Sequence, residues 1–229
     1  VDNPLVSIII PSKDHPDILK QCINSVYEYT DYKNFEIIVV DNGSCEENKK
    51  LIEEYLESLH ALYLYNTFDF NFSKMCNIGA KNAKGEYLLF LNDDIEIFQP
   101  DWLYRMLGHA QQKHVGAVGA KLFYPLTTII QHAGVSNIKE GPSHNFMTLD
   151  DSTIYNFGWN RVDYDCLAVT AACIIIKKAK FWEIGGFDEK LSIAYNDMKL
   201  CFSLYERGYY NVVRNDVVAY HHESLSRGE

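Results

Sequence analysis

Two adjacent carboxylates, Asp93 and Asp94, follow an apolar run at residues 88–91. The run predicts a buried strand, and open α/β sheets bind their ligands at the carboxyl ends of such strands. Neighbouring carboxylates repel each other, so they need a cation or strong hydrogen-bond donors beside them. Oxygen ligands of this kind suit Mg²⁺ or Mn²⁺ carrying a phosphate group. The pair therefore indicates either a metal–phosphate site or a strand-to-turn junction with solvated side chains.

Polar or turn-forming residues also follow two earlier apolar runs, at 6–10 and 35–40. They are Pro11, Ser12, Lys13, Asp41 and Asn42. Three strand ends of this type at one edge of a sheet form a binding crevice. Within it, Asp41 either accepts a hydrogen bond from a nucleobase N–H or anchors a turn by accepting from backbone amides.

Three further groups of side chains could do chemistry. Asp197 opens a helix-like stretch, where it would act either as a general base or as an acid that stabilises the helix N-terminus. Lys74 and Asn77, one helical turn apart, either meet phosphate or ribose or lie on a solvated face. His221 and His222 end a strand-like segment, and because strand neighbours point to opposite faces, at most one of them can complete a metal site. The other role open to a lone histidine is structural.

The elements that must position these residues alternate between strand and helix in the first half. Predicted strands cover 6–10, 35–40, 61–65 and 86–91, and predicted helices cover 18–27, 51–59 and 73–83, the last with Ser73 as N-cap. This order predicts a mostly parallel sheet with right-handed crossovers. In the second half, helices are predicted over 101–113, 178–184 and 195–207, and strands over 115–122, 167–176, 212–213 and 217–220. Residues 123–165 show no sustained period, and such a long loop is usually functional or partly mobile.

Composition excludes several function classes. The net charge of −10 argues against nucleic acid or an anionic membrane as the main partner. The first strand is not followed by a Gly-x-Gly-x-x-Gly motif, and no P-loop motif occurs. Six cysteines without a Cys-x-x-Cys pair predict reduced thiols rather than disulfides or zinc ligands. No signal peptide or transmembrane-length apolar run is recognised, so we expect a cytoplasmic setting, in a module cut from a longer protein.

Taken together, these segments resemble the family 2 glycosyltransferases of the GT-A fold. The matching segments are 6–13, 38–44, 92–94, 185–189, 195–201 and 221–228, and the last resembles a bacterial subgroup that builds cell-surface polysaccharides, including rhamnose-containing ones. The resemblance implies an α/β fold with a single Rossmann-like, mostly parallel central sheet flanked by helices and a smaller mixed acceptor-side region. It implies one domain over 1–229, with a nucleotide-sugar-binding half at 1–98 and an acceptor and catalytic half at 99–229.

The resemblance also implies a role for each candidate residue. Asp197 is the base, and Mg²⁺ or Mn²⁺ lies on Asp94 with His222, or less favourably His221. The donor-binding residues are Pro11, Ser12, Lys13, Asp41, Asn42, Lys74, Asn77, Asn92 and Asp93. The acceptor-side residues are Trp182, Gly185 and Gly186. The chain departs from the family at Asn92, where an Asp is usual, and at Asn196, where a Glu is usual.

The function implied is an inverting transfer of sugar from a nucleotide diphospho-sugar to a hydroxyl of a glycan or lipid-linked glycan. The setting implied is cell-surface polysaccharide synthesis, in the cytoplasm or at the inner face of the membrane, with peripheral membrane association through other parts of a longer chain. The two Asn departures leave open a non-catalytic sugar-nucleotide or glycan-binding module of a larger synthase. A nucleotidyltransferase is a third alternative, supported only by Lys13.

Overall fold

The computed structural model describes residues 3–139 and 141–223, which build one mixed sheet of ten strands and a separate hairpin. The strands are β1 (Val6–Ser12), β2 (Phe35–Asp41), β3 (Leu62–Tyr65), β4 (Tyr87–Leu91), β5 (Ile95–Ile97), β6 (Val115–Phe123), β7 (Ile130–His132), β8 (Val135–Ile138), β9 (Gly141–His144), β10 (Tyr164–Cys166), β11 (Cys173–Lys177) and β12 (Tyr210–His221). The helices are α1 (Pro16–Tyr29), α2 (Glu46–Ser58), α3 (Phe72–Asn82), α4 (Trp102–Ala110), α5 (Lys178–Glu183) and α6 (Asn196–Glu206).

The first half of the chain forms the parallel part of the sheet. Strands lie in the order β10-β12-β6-β11-β4-β1-β2-β3, and β3, β2, β1 and β4 run parallel to one another. Every residue of β1 and β4 is buried, as expected for parallel strands covered on both faces. Ser12 stands opposite Asp41 in the register. The predicted α/β fold and the predicted meeting of these polar strand ends at one sheet edge are confirmed.

Two apolar layers cover the sheet. On one face, Leu19 and Ile23 of α1 and Leu103 of α4 join the buried side chains of the strands. On the other face, Met75 of α3 and Leu204 of α6 do the same. Because α3 and α6 share a face, their N-terminal ends can both border the crevice at the strand ends.

The second half is the mixed region. Strand β11 runs antiparallel to both β4 and β6, whereas β12 is parallel to β6. The prediction of an irregular 123–165 segment is wrong in part, because it contains the strands β7 to β10 and a 3₁₀ turn at Asn156–Gly158. Each of these strands has only three or four residues, too few to show a period of two in the sequence.

Three predicted boundaries also change. Strand β11 begins at Cys173 rather than Leu167, because the preceding apolar residues turn across the end of the sheet, where Ala168 bridges Val135. Helix α3 is capped by Asn71 rather than Ser73, since the Asn71 side chain accepts from Lys74 N at 2.9 Å. The two strands predicted at 212–213 and 217–220 form one strand, β12, with a register shift against β6 between Arg214 and Val218.

An ion-pair cluster holds β12 against α4. Asp216 Oδ2 lies 2.6 Å from Arg105 Nη1 and 2.7 Å from Arg214 Nη2. Burial works to raise the pKa of Asp216, but hydrogen bonds from Arg214 and Arg105 outweigh it and lower the pKa to about 2. The cluster therefore stabilises the strand that ends at His221.

Replacing Asp216 with Asn should lower the free energy of unfolding by about 1 kcal/mol at neutral pH, as expected for a partly exposed ion pair. Because the carboxyl pKa is lowered in the folded state, its stabilisation is complete above the ordinary pKa of about 4 and is lost as the pH falls toward 2. Urea unfolding over this pH range should show the difference between wild type and D216N shrinking with acidity. A stability difference that does not depend on pH would contradict the assigned role of the Asp216 ion pairs. The matched control is Asp69→Asn, because Asp69 is exposed.

Candidate active site

A cleft of about 720 Å³ opens at the carboxyl ends of β1 and β4. Its lining residues are Pro11, Ser12, Lys13, Asp14, His15, Phe70, Phe72, Met75, Asn92, Asp93, Thr170, Ala171, Ala172, Ile193, Ala194, Tyr195, Asn196 and Asp197. The structure therefore brings together the strand-end residues and the helix α6 acid that the sequence places more than a hundred positions apart. Its mix of apolar and polar walls is what a small-molecule site requires.

The carboxylate pair lies in this region and is nearly inaccessible. Asp93 and Asp94 are each 6% exposed, and of the two only Asp93 lines the cleft. Burial raises the pKa of Asp93 to about 7, with the charge of Asp94 adding to the effect and the Ser12 hydroxyl opposing it. The shift reflects the loss of water around the carboxylate, because burial disfavours its charged form. A cation bound beside the pair would favour that charged form.

His221, and not His222, is the histidine beside Asp94. His221 Nε2 lies 3.2 Å from Asp94 Oδ1, whereas His222 Nε2 lies 2.8 Å from Glu96 Oε2. Only one of the two rings therefore lies beside Asp94, and it is His221 rather than the preferred His222. The register explains the choice, because His221 pairs with Ile95 at the end of β12 and the His222 amide bonds to the Asp94 carbonyl.

The facing side-chain atoms of Asp94 and His221 suit a divalent cation. Asp94 Oδ1 is buried and accepts no hydrogen bond in the structure. His221 Nδ1 lies 2.6 Å from Gln131 Oε1, so this nitrogen carries the proton and the neutral ring keeps a lone pair on Nε2. Two lone-pair donors 3.2 Å apart, one oxygen and one imidazole nitrogen, match the ligand types that Mn²⁺ and Mg²⁺ sites use.

The protein alone offers few ligands. Across residues 3–139 and 141–223, no cluster of three or more His, Cys, Asp or Glu side chains is arranged to hold a metal ion. Asp94 and His221 would therefore supply part of a coordination shell. Mg²⁺ sites that carry substrate phosphates commonly use only one or two protein ligands, so this number is compatible with a shared site.

Asp197 lies at the opposite wall of the cleft, in the first turn of α6. Its Oδ1 accepts from Met198 N at 2.7 Å, and its Oδ2 lies 3.4 Å from Ala171 N. The second contact is long, so one carboxylate oxygen remains available to a ligand in the cleft. Asp197 is therefore an acid in the first turn of α6 that also lines the cleft, and its role as a base stays a prediction.

The segment before α6 is tied to the start of α3. Phe72 N donates to Ser192 O at 2.9 Å, and Ser73 Oγ donates to Leu191 O at 2.6 Å. Tyr195 then adopts the left-handed conformation, with φ of 61°, immediately before the helix. These bonds set the position at which Asp197 enters the cleft.

The two residues at which the chain departs from the family pattern both lie at the site. Asn196 is buried, and its Oδ1 accepts from Asp197 N at 2.7 Å, so it braces the first turn of α6. Asn92 lines the cleft, and its Nδ2 lies 3.5 Å from His221 Nε2. An amide at either position adds no negative charge to its acidic neighbour, unlike the carboxylate that is usual there.

Asp41 does not reach the cleft. Its side chain is fully buried, its Oδ1 accepts from Ser44 N at 2.8 Å, and its Oδ2 accepts from the Tyr63 hydroxyl at 2.6 Å. The structure shows the role as a turn anchor, and the contact with a nucleobase stays a prediction. Asn42 is likewise buried and donates to Phe68 O at 2.9 Å.

Asn77 is a structural clamp rather than a donor contact. Its Nδ2 donates to Phe187 O at 2.9 Å and to Glu189 Oε1 at 3.0 Å, and its Oδ1 accepts from Phe187 N at 3.0 Å. A Cβ at Gly186, where φ is 77°, would come within 2.7 Å of Asn77 Oδ1, so the close approach requires glycine there. The hydrogen-bonding atoms of Asn77 are therefore engaged by Phe187 and Glu189, and its contact with phosphate or ribose stays a prediction.

The predicted acceptor-side residues lie away from the cleft. Gly185 and Gly186 border a separate polar depression together with Asn77. Trp182 packs against Phe181 and the apolar layer on that face, with ring centroids 4.9 Å apart. Lys74 also points elsewhere, since its Nζ lies over the Phe68 ring at 4.2 Å from the centroid. None of the four lines the cleft in the described part of the chain.

Removing the Asn77 clamp should destabilise the fold. Asn77→Ala leaves the Phe187 amide and carbonyl groups without their partner, so we expect a loss of about 2–3 kcal/mol in the free energy of unfolding. Chemical denaturation measures the loss. Asn82→Ala is the matched control, because exposed Asn82 on the same helix bonds only one turn back, to Ile78 O. Equal stabilities of the two variants would contradict the clamp.

Sequence reasoning missed several residues of the site. Phe70, Phe72 and Met75 form an apolar wall of the cleft, and Thr170 and Ala171 face Asp197. The alternating Phe-x-Phe spacing at the start of α3 was the available signal for the first group. For the second group, the apolar run at 167–176 predicted only a strand.

Several solved structures have a fold similar to that of this chain. The chain aligns with a mannosyltransferase from Pyrobaculum calidifontis in complex with GDP-Man and Mn²⁺, at a TM-score of 0.71 and 17% identity, over 98% of this chain and 58% of that one. It aligns with GalNAc-T7 with UDP, GalNAc and Mn²⁺ at a TM-score of 0.75 and 17% identity, over 95% of this chain and 44% of that one. At this level of identity the likeness establishes the GT-A fold.

The chain belongs to glycosyl transferase family 2, whose pattern matches residues 7–185. It is 38% identical to the O-antigen biosynthesis protein RfbC of Myxococcus xanthus, over 98% of this chain and 18% of that protein. It is 40% identical to protein y4gI of Sinorhizobium fredii, over 98% of this chain and 25% of that protein. The chain thus spans about a quarter or less of these relatives, and it is similar to one part of a polysaccharide-biosynthesis protein.

Two other expectations concern the whole chain. All six cysteines are free thiols, as predicted. Within the described ranges, no helix is both long enough and apolar enough to cross a membrane. The tail residues beyond Glu223, which contributed to the resemblance, lie outside the described residues.

Proposed function

We propose that this chain is an inverting, metal-dependent glycosyltransferase that moves a sugar from a nucleotide diphospho-sugar to an acceptor hydroxyl. The observation that carries the proposal is the pairing, across one cleft, of an available carboxylate on Asp197 with the Asn92–Asp93 strand end. Asp94 and His221 adjoin that strand end. One wall thus suits a diphosphate and its cation, and the other suits a general base.

In this proposal, the donor lies across the ends of β1 and β4. Ser12, Lys13, Asn92 and Asp93 contact the ribose and diphosphate, and the half-exposed ring of Phe70 borders the nucleoside end. Asp94 and His221 hold Mg²⁺ or Mn²⁺, which when bound stabilises the charge that develops on the leaving diphosphate. The Mn²⁺ and nucleotide present in the two similar structures support this placement.

Asp197 performs the proton transfer. As the acceptor oxygen attacks the anomeric carbon, Asp197 takes the hydroxyl proton, and the bond from the anomeric carbon to the diphosphate oxygen breaks. A single displacement of this kind inverts the anomeric configuration. Two sets of hydrogen bonds hold the base in position. The Asp197 amide donates to Asn196, and the segment before α6 is hydrogen-bonded to the start of α3.

The relatives support a proposal for the biological setting. The similarity to RfbC supports a role in building a cell-surface polysaccharide, with a glycan or lipid-linked glycan as acceptor. We propose a rhamnose-containing product of this class, one glycosyltransferase domain over 1–229, and action in the cytoplasm or at the inner face of the membrane. Six free thiols are what a reducing compartment maintains.

A thermal-shift screen tests the donor part of the proposal. Uridine, guanosine and thymidine diphospho-sugars are each added with Mn²⁺, and one of them should raise the melting temperature, because a ligand that binds only the folded state stabilises it. The shift should disappear when EDTA replaces Mn²⁺. If no nucleotide sugar shifts the melting temperature, the assignment of the cleft fails. If one binds without turnover, the chain is the non-catalytic module that the two Asn departures left open.

A further inference from the structure

Gln131 lies directly behind His221. It occupies the middle of β7, which pairs with β6, and its side chain is only 6% exposed. Its Oε1 lies 2.6 Å from His221 Nδ1. A buried polar side chain in contact with a candidate ligand atom needs a reason to be there.

The orientation of the Gln131 amide is set by its other contacts. Its Nε2 lies 3.1 Å from Glu223 Oε2 and 3.5 Å from His221 O, both of which can only accept. The NH₂ group must therefore face Glu223, which leaves Oε1 facing the imidazole. Because Oε1 can only accept, the proton on the neutral His221 ring must lie on Nδ1.

This proton position has a consequence at the other side of the ring. With Nδ1 protonated, Nε2 of the neutral ring carries a lone pair and faces Asp94 Oδ1, a buried oxygen that accepts no hydrogen bond. The opposite tautomer would point an N–H at Asp94 and block coordination. The hydrogen bond from Nδ1 also fixes the rotation of the ring, since the imidazole plane must contain the Nδ1–Oε1 direction.

We propose that Gln131 is a positioning residue that holds His221 in the metal-ligating tautomer, with Glu223 holding Gln131 in turn. The proposal rests on the proposed function, because it takes Asp94 and His221 as the ligands of the divalent cation. Hydrogen-bond partners of ligating histidines fix the tautomer and ring orientation, and their loss typically costs about 10–100-fold in metal affinity. The residue lies in the 123–165 segment, so that segment contributes to the site.

Two measurements test the proposal about Gln131, and the first needs no metal. Long-range ¹H–¹⁵N correlation spectra of the metal-free protein, recorded well above the ordinary imidazole pKa, report which ring nitrogen carries the proton. Wild-type His221 should be protonated on Nδ1. Gln131→Met, similar in length but without the acceptor, should shift the ring toward Nε2 protonation. Gln131→Glu combined with Glu223→Gln, which keeps an acceptor toward the ring and a donor–acceptor contact between residues 131 and 223, should return the proton to Nδ1.

The second measurement is Mn²⁺ binding, followed by the electron paramagnetic resonance signal of free Mn²⁺. Gln131→Met should weaken Mn²⁺ binding by about 10-fold or more, and the double variant Gln131→Glu with Glu223→Gln should recover most of the loss. Gln99→Met is the matched control, because Gln99 is also partly buried and bonds to Asp101 and to the Asp216 and Val218 backbone, away from His221. It should keep wild-type Mn²⁺ affinity.

The possible failures are distinguishable. An Nε2-protonated His221 in the wild type overturns the proposal about Gln131, whatever the metal does. A Gln131→Met variant in which His221 stays protonated on Nδ1 and Mn²⁺ affinity is unchanged overturns the proposal about Gln131 as well. If wild type binds no Mn²⁺ but the tautomer responds to Gln131 as expected, the positioning of the ring stands, and the metal assignment of the proposed function is what fails.

Discussion

Replacing Asp197 with Asn is expected to slow sugar transfer by about 10²- to 10⁴-fold, the usual contribution of a general base. Donor affinity should stay unchanged, because Asp197 lies across the cleft from the residues assigned to the diphosphate. Asparagine keeps the shape of the side chain, and its single side-chain oxygen can still accept from the Met198 amide, the shorter of the two contacts that Asp197 makes. The loss should therefore appear in kcat rather than in KM. Steady-state kinetics and donor titration measure the two quantities separately.

Glu206→Gln provides the control for this experiment. Glu206 is an exposed carboxylate at the other end of α6, so its neutralisation changes the charge of the same helix without touching the cleft. It should leave kcat unchanged. Near wild-type turnover in Asp197→Asn would show that another group removes the proton and that Asp197 serves only as a helix N-terminal acid.

Replacing Asp94 with Ala should abolish Mn²⁺-dependent donor binding. Loss of a neighbouring hydrogen-bond partner of a ligand already costs about 10–100-fold in metal affinity, so loss of the ligand itself should exceed about 100-fold. Isothermal titration of the nucleotide sugar with and without Mn²⁺ measures the effect. The metal-free affinity, which depends on the other cleft residues, should change little.

Glu96→Gln is the matched control for Asp94. It removes the negative charge of a carboxylate two positions away, beside His222, and leaves the Asp94–His221 pair intact. Its Mn²⁺-dependent affinity should equal that of the wild type. Unchanged affinity in Asp94→Ala, or an equal loss in Glu96→Gln, would move the cation away from Asp94 and reopen the choice between the two histidines.

The parallel half of the sheet was predictable because its signals are local. The β-branched run of β1 and the apolar run of β4 read as buried strands, and each ends at polar residues. Since parallel strands place their carboxyl ends at one edge, the position of Asp93 followed from topology. The family resemblance then linked Asp197 to the same cleft, although composition and spacing alone could not bring together residues so far apart in sequence.

The contacts that the sequence does not show have a common physical cause. Asp41, Asn77 and Gln131 are buried polar side chains whose roles depend on partners far away in the chain: Tyr63, Phe187 and His221. A sequence shows a polar residue at a strand end or on a helix, but it does not show whether a buried partner already satisfies it. The preference for His222 over His221 differs from the structure for a related reason, since a shift of one residue in strand register exchanges the two faces.

The most direct measurement of the proposed catalysis is release of nucleoside diphosphate from the nucleotide sugar that the binding screen identifies. We expect release in the presence of Mn²⁺, with water or an added glycan as acceptor, no release with EDTA, and recovery when Mn²⁺ is restored. The Asp197→Asn variant should bind the same donor and release almost no diphosphate. Tight, Mn²⁺-dependent donor binding without release by the wild type under any of these conditions would contradict catalysis and identify a binding module instead.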